Sequence, residues 1–294
     1  MSVQPAPPRA AVPSTTVFKD DLFKGKVLFC TGGHSGICKE MTRALMKHGA
    51  DAYIVGRKLE KGLTAARELS AATGRKCFFS QVDVRKPDTL KEAVNKCIAE
   101  FGRIDYVIAG AAGNFLAPIS RISENAFKTV IDIDILGSYN TLKATLPYIR
   151  ETRGSILFVS ATLHFRGLQY QSHVSAAKAG IDALNAVVAV EEGPRGIRSN
   201  IISPGPIAGT EGVDRLTPKG QMDKANRIVP LQRLGQFGDV TNATIFLFSE
   251  AANWVTGQIF VVDGGEHHTT TSLLPYPDSV LNSEQTDGMI KARA

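Results

Sequence analysis

The sequence predicts one α/β domain built on a doubly wound parallel sheet of seven strands. Three observations carry that prediction. Strand-like and helix-like segments alternate strictly from Lys26 to Val262, and such alternation requires a parallel sheet with helices on both faces. The first unit, Lys26–His48 (KVLFCTGGHSGICKEMTRALMKH), joins its strand to its helix through a glycine-rich turn. No linker interrupts the series, so the 294 residues read as one domain rather than two.

In that first unit, Val27–Thr31 is an uncharged apolar run, the pattern of a strand buried on both faces. Gly32, Gly33, His34, Ser35 and Gly36 turn the chain. From Ile37 onward Met41, Ala44, Leu45 and His48 follow at helical spacing. Glycines let a backbone approach a ligand, and the free N–H groups of a helix start favour an anion. A dinucleotide pyrophosphate suits such a turn, and an ordinary tight βα turn would read the same. The strand before it and the helix after it are what give it weight. Further strands are expected at 51–55, 76–81, 105–109, 155–160, 198–202 and 258–262, after the first at 26–30. Helices are expected near 36–48, 58–72, 87–101, 124–150, 173–192, 212–228 and 239–249. Right-handed crossovers then set the ligand crevice at the C-terminal ends of the strands, a Rossmann-type arrangement.

The strand ends carry the chemistry. The second ends in Gly56-Arg57-Lys58. A carboxylate there would bond the ribose 2′-hydroxyl of NAD. None is present, and Arg57 with Lys58 suits the 2′-phosphate of NADP(H), although a solvated basic pair opening a helix reads alike. The third runs into Val82-Asp83-Val84-Arg85. Asp83 would accept from an adenine amino group or cap the helix starting near Pro87. Arg85 points to the same crevice edge and would serve a second phosphate-bearing ligand. After the fourth, Gly110-Ala111-Ala112-Gly113-Asn114-Phe115 leaves room for a nicotinamide ribose or for close packing.

Composition narrows the class. The chain is 43% apolar and 21% charged, ample for a core, with a net charge of +6. Its basic residues are dispersed, which disfavours nucleic acid and suits an anionic small molecule. The four cysteines form no CxxC pair, so neither a metal nor a disulfide is indicated. Residues 1–20, rich in Pro, Ala and Ser, read as a disordered arm. The domain proper is expected over 21–266 with a C-terminal extension over 267–294. No stretch is long and apolar enough for a membrane span.

Together these residues resemble the short-chain dehydrogenase/reductase family, over about Phe23 to Gly265. The supporting text is Thr31-Gly32 to Gly36, Val82-Asp83-Val84, Ala111-Ala112-Gly113, Lys178 within SAAKAGIDAL, Pro204-Gly205-Pro206 and Val262-Asp263-Gly264-Gly265. The departures are informative. Cys38 stands at the third glycine of the family's loop, and Gly110-Ala111-Ala112-Gly113 replaces Asn-Asn-Ala-Gly. The catalytic Tyr position, four before the Lys, is Val174; the Ser position is Ala161; the helix Asn position is Asp134. Only Lys178 of the four survives. Valine and alanine cannot exchange a proton with a carbinol, so a Tyr–Lys alcohol dehydrogenase is disfavoured.

The segments Ala111–Phe115, Asn125–Asn140, Ser160–Thr162, Ala176–Leu184, Pro204–Leu216 and Pro230–Gly235 resemble the peroxisomal 2,4-dienoyl-CoA reductase branch, which also lacks the Tyr and carries the Asp. The resemblance implies NADPH-dependent reduction of a 2,4-dienoyl-CoA to a 3-enoyl-CoA in β-oxidation. Asp134 is then the acid, working through a water, and Lys178 holds the nicotinamide ribose and orients the water. His173 is a rival donor. Asp132 and Asp134 lie about 200° apart around a helix, and periodicity leaves open which faces inward. Gly32 to Ile37, Arg57, Lys58, Asp83, Val84, Ala111, Lys178, Pro204, Gly205, Ile207 and Thr210 are the expected cofactor contacts. Arg85, Asn114, Phe115 and Arg215 are the expected acyl-CoA contacts, the helix carrying Arg215 acting as a lid. A homotetramer or homodimer is implied, formed by the helices at 87–101 and 124–150. The alternatives are another enoyl-thioester reductase, or a non-catalytic NADPH-binding regulator. The final Ala292-Arg293-Ala294 departs from the usual peroxisomal signal, so a cytoplasmic location stands beside the peroxisomal one.

Overall fold

The computed structural model describes residues 10–210, 212–213, 217, 220–269, 273–274, 277–281 and 284. The strands are β1 (Val27–Thr31), β2 (Asp51–Gly56), β3 (Cys77–Gln81), β4 (Tyr106–Ala109), β5 (Ser155–Val159), β6 (Arg198–Pro204) and β7 (Ile259–Val262). All pair in parallel, in the order β3-β2-β1-β4-β5-β6-β7. The order reverses between β1 and β4, which opens the crevice at their C-terminal ends. The helices are α1 (Gly36–Lys47), α2 (Leu59–Thr73), α3 (Pro87–Phe101), α4 (Glu124–Ile131), α5 (Gly137–Thr152), α6 (Ser172–Glu192), α7 (Met222–Ile228), α8 (Phe237–Phe248) and α9 (Asp278–Leu281).

Period-two alternation along β1 explains the two layers. Leu28 and Cys30 point to one face, packed with Met41 and Leu45 of α1, Leu69 of α2 and Phe248 of α8. Val27 and Phe29 point to the other, packed with Val94 of α3, Leu142 and Ile149 of α5, and Ile181 of α6. Both layers are apolar because every central strand is covered twice. Gly74 and Gly102 end α2 and α3 in left-handed backbone (φ 68° and 73°), where a Cβ would be strained. Among the described residues no helix is long and apolar enough to cross a membrane.

Three expectations are corrected. The single helix expected at 124–150 is two, α4 and α5, joined by a π-helical turn at Asp132–Leu136. The apolar run Val130, Ile131, Ile133, Ile135, Leu136 continues around the whole helix, so its pattern carries no trace of the wider turn. Packing accounts for it: Ile135 lies over Gly180 of α6, where a Cβ would sit 2.6 Å from Ile135 Cδ1. Gly137 likewise admits Val84 Cγ2, 2.5 Å from where its own Cβ would be. The arm expected to be disordered through residue 20 is docked over its described part. Ser14–Thr16 forms a 3-10 turn, the Asn242 side chain donates to the Val12 carbonyl at 2.8 Å, and His48 Nε2 lies 3.1 Å from Ser14 Oγ in a buried contact. Those partners come from the end of α1 and from α8, far along the chain, so arm composition does not reveal them. Of the helix expected at 212–228, Gly212, Val213 and α7 are helical, while Thr217, Gly220 and Gln221 are not. Residues 211, 214–216 and 218–219, Arg215 among them, lie outside the described residues, as does the C-terminal tripeptide 292–294.

Candidate active site

The site collects the C-terminal ends of β1, β2, β4, β5 and β6. Its floor is the turn between β1 and α1. Gly32 has φ +74°, and a Cβ on it would lie 3.1 Å from the Gly110 carbonyl oxygen. A Cβ on Gly33 would lie 2.6 Å from Ile54 Cγ2. Gly36, at φ +54°, opens α1 with nothing within 4 Å of its would-be Cβ. Thr31 Oγ1 accepts from the amides of Gly110 and Ala111 at 3.0 and 3.3 Å and ties the β1 and β4 ends together. A floor with glycine at three of its positions, at a helix start, fits the pyrophosphate of a dinucleotide. Ser35 is exposed, and Ile37 packs partly buried against the core.

The catalytic candidates form one buried pair. Asp134 is 0% exposed and Lys178 5%. Lys178 Nζ lies 3.0 Å from Asp134 Oδ2 and donates to the Val159 carbonyl at 3.0 Å. The Gly113 amide donates to Asp134 Oδ1 at 2.8 Å. The π turn settles which aspartate faces inward: Asp132 pairs with Lys128 at the surface. The Gly113 amide and the Val159 carbonyl are backbone groups, so no residue type marked them in the sequence.

Beside this pair lie buried polar atoms with no hydrogen bond: Asn114 Oδ1, Ser160 Oγ and both ring nitrogens of His173. His173 is 0% exposed and stacks on Phe115, with ring centroids 4.2 Å apart and planes at 21°. Burial pushes its pKa down, against the Phe115 main chain and the Asp134 charge. Buried groups left unpaired cost free energy and mark places where a ligand or water belongs. Val174 is buried beside Val130 and Ala177, with Phe115 and Leu163 packed around them, so nothing phenolic stands at that position.

At the outer rim Arg57 and Lys58 are exposed, and the Gln81 side chain donates to the Arg57 carbonyl at 2.9 Å. Asp83 does not cap α3, whose N-cap is Lys86 without a side-chain bond. Its carboxylate takes the Arg85 guanidinium instead, with Nη2 to Oδ2 at 2.6 Å, and that bond holds its pKa below the usual carboxylate range. Arg85, expected at the acyl-CoA, is therefore shared with the expected adenine ligand. Val84 is buried, and its carbonyl accepts from the Asn140 side chain at 2.9 Å, a strut the sequence did not announce. On the far side β6 runs through Pro204. The Gly205 amide donates to the Val262 carbonyl at 3.0 Å, and a Cβ there would be 2.5 Å from Asp263 Cβ. Ile207 is buried and bridges to Gly235. Thr210 Oγ1 donates to the Ile207 carbonyl at 2.7 Å and accepts from the Val213 amide at 3.2 Å. The expected cofactor residues thus fall on the glycine floor, the outer rim and the β6 side, while Phe115 stacks on His173 and Asp134 joins Lys178 to the Gly113 amide.

Comparison with known proteins places the chain in a family. A family model described as enoyl-(acyl carrier protein) reductase matches residues 32–267. A peroxisomal 2,4-dienoyl-CoA reductase of Saccharomyces cerevisiae, (3E)-enoyl-CoA-producing, is 49% identical over 271 residues, 90% of this chain and 93% of that one. A peroxisomal 2,4-dienoyl-CoA reductase of Danio rerio is 44% identical over 88% of this chain and 87% of its own. Among solved structures, a short-chain type dehydrogenase/reductase from Mycobacterium ulcerans superposes with a TM-score of 0.81 at 30% identity, covering 90% of this chain and 96% of that one. With the glycine floor, the seven-strand order and the surviving lysine, these matches show that the chain belongs to the short-chain dehydrogenase/reductase family.

Proposed function

We propose that this protein reduces a 2,4-dienoyl-CoA to the 3-enoyl-CoA, the activity its relatives' names carry, and that it does so with NADPH. One observation supports this above the others: a buried Asp134–Lys178 pair beside Val174, where an alcohol dehydrogenase needs its phenol. NADPH supplies, when bound, the hydride that adds to C5 of the diene. Negative charge then spreads to the thioester oxygen and Cα, and a proton at Cα completes the product.

The chain's residues handle that charge and that proton. With Gly113 N–H on one oxygen and Lys178 beside the other, Asp134 serves as a fixed acceptor that orients a water toward Cα. The proton that water gives up is replaced through Lys178, which also faces the nicotinamide ribose. His173, kept neutral by burial, offers an N–H to the thioester oxygen, a donor aimed at developing charge. Phe115 supports the dienoyl chain, Asn114 lends its free carbonyl oxygen, and Arg85 and Arg215 hold CoA phosphates. Arg57 and Lys58 face the 2′-phosphate, Asp83 the adenine, and Ala111, Pro204, Gly205, Ile207 and Thr210 the nicotinamide side. A peroxisomal location follows the relatives' names, and self-association as a dimer or tetramer is supported by exposed Leu136 and Tyr139 on the 124–150 segment.

Purified protein mixed with NADPH and 2,4-hexadienoyl-CoA tests the proposal. Oxidation of NADPH with loss of the dienoyl absorbance, and no turnover of a simple alcohol, is the expected result. NADPH binding without turnover of any dienoyl or enoyl thioester would mark a regulator instead.

A further inference from the structure

We propose that His34 belongs to the 2′-phosphate site, and that it makes binding of NADP(H), but not of NAD(H), proton-linked. This rests on the proposed use of NADPH and adds a specificity residue to it. The glycine turn needs no histidine: Gly32, Gly33 and Gly36 already shape it. Yet the His34 imidazole lies directly on Gly56, the last residue of β2. A Cβ on Gly56 would be 2.4 Å from His34 Nδ1 and 2.6 Å from Cε1. The ring therefore stands at the strand end that launches Arg57 and Lys58, and Gly56 is glycine to let it in. Nδ1 is buried and makes no hydrogen bond.

The charges acting on this ring are all positive: Lys58 and Arg57 from the turn after β2, and Lys61 from the first turn of α2. Burial first, and then these three cations, push the His34 pKa down, so the free protein holds it neutral at physiological pH. A 2′-phosphomonoester carries close to two negative charges above its second pKa of about 6. Placed between Arg57, Lys58 and His34, it reverses the local field. The imidazole then takes one proton from solvent and donates a charge-assisted hydrogen bond to a phosphate oxygen. The ribose 2′-hydroxyl of NAD(H) brings no charge and leaves the ring neutral.

Isothermal titration calorimetry of the full chain at pH 7.5, in HEPES and in Tris, reads this directly, because the buffers differ in ionisation heat. NADPH should bind with net proton uptake and NADH with none. His34→Asn should abolish the uptake and weaken NADPH roughly tenfold or more relative to NADH, the scale of one charge-assisted hydrogen bond. Arg57→Ala should weaken NADPH while retaining uptake, which separates loss of the phosphate site from loss of its proton acceptor. Equal uptake in wild type and His34→Asn, or an unchanged NADPH-to-NADH affinity ratio, overturns the role of His34. Tighter wild-type binding of NADH than of NADPH overturns the cofactor reading itself, and this inference with it. Thermal melting of each variant without nucleotide confirms that the fold is intact.

Discussion

Cys38 and Gly110 fill each other's space. The Cys38 thiol donates to the Gly110 carbonyl at 3.6 Å, and a Cβ on Gly110 would lie 2.3 Å from Cys38 Sγ. The family's usual pattern has glycine at the first position and asparagine at the second, so the two departures are one exchange of volume across the α1–β4 contact. Gly110→Ala should cost about 1–3 kcal/mol by overpacking, and Cys38→Gly about 1 kcal/mol or more for a helix glycine and a void. The double variant should cost less than the sum, by roughly 0.5–3 kcal/mol. Urea midpoints of the four proteins check it; strict additivity would mean the residues do not share the space.

Asp134→Asn should reduce dienoyl-CoA turnover at least a hundredfold and leave NADPH affinity within a factor of about three, an order-of-magnitude expectation for a buried charge acting in catalysis. Asn is the informative choice. Both substitutions remove the counter-charge of the buried Lys178, but Asn keeps a side-chain oxygen in place for it, whereas Asp134→Ala removes charge and acceptor together, which costs about 3–5 kcal/mol and threatens folding. Single-turnover rates and NADPH fluorescence titration separate the two effects.

Val174→Tyr should not restore an alcohol dehydrogenase. Val174 is 2% exposed against Val130 and Ala177, so a phenol there overpacks the α4–α6 contact by about 1–3 kcal/mol. A lowered melting temperature with no oxidation of secondary alcohols is expected; appearance of such oxidation would show the pocket to be more plastic than its packing.

Acid should destabilise the protein from pH 6.5 downward. Burial lowers the His173 pKa in the folded state, so below the ordinary value of about 6.5 the unfolded chain binds the proton first and stability falls with pH. The slope approaches about 1.4 kcal/mol per pH unit for that one proton. His173→Phe should flatten the decline between pH 6.5 and 5. Lower down, Asp83, held below its usual pKa by Arg85, and Glu192, held below it by Arg150, add stability that is present above about pH 4 and lost as they protonate. Denaturant midpoints from pH 8 down to about pH 2, wild type against variant, test both.

The sheet was legible because its evidence is local. Most strands are short apolar runs beside a helical one, and all seven begin and end within two residues of where the pattern puts them. The glycine turn and Lys178 were legible because few residue types do their work. The sequence could not choose between Asp132 and Asp134, because the π turn that chooses is made by packing of Ile135 on Gly180, between segments 45 residues apart. Nor could it show that Arg85 is shared with Asp83, or that His173 is stacked and unpaired, since both depend on how separate loops meet. The docked arm was missed for the same reason: its partners, His48 at the end of α1 and Asn242 in α8, lie far along the chain.

The widened coil at Asp132–Leu136 also sets a phase. Removing any one of its five residues would wind α4 straight into α5 and rotate everything downstream by about 100°. Asp134 would swing out from beneath Gly113, and the Asn140 amide would lose the Val84 carbonyl. A single-codon deletion in this stretch should therefore silence chemistry and nucleotide affinity at one stroke, whereas a point change at either residue strikes only one of them.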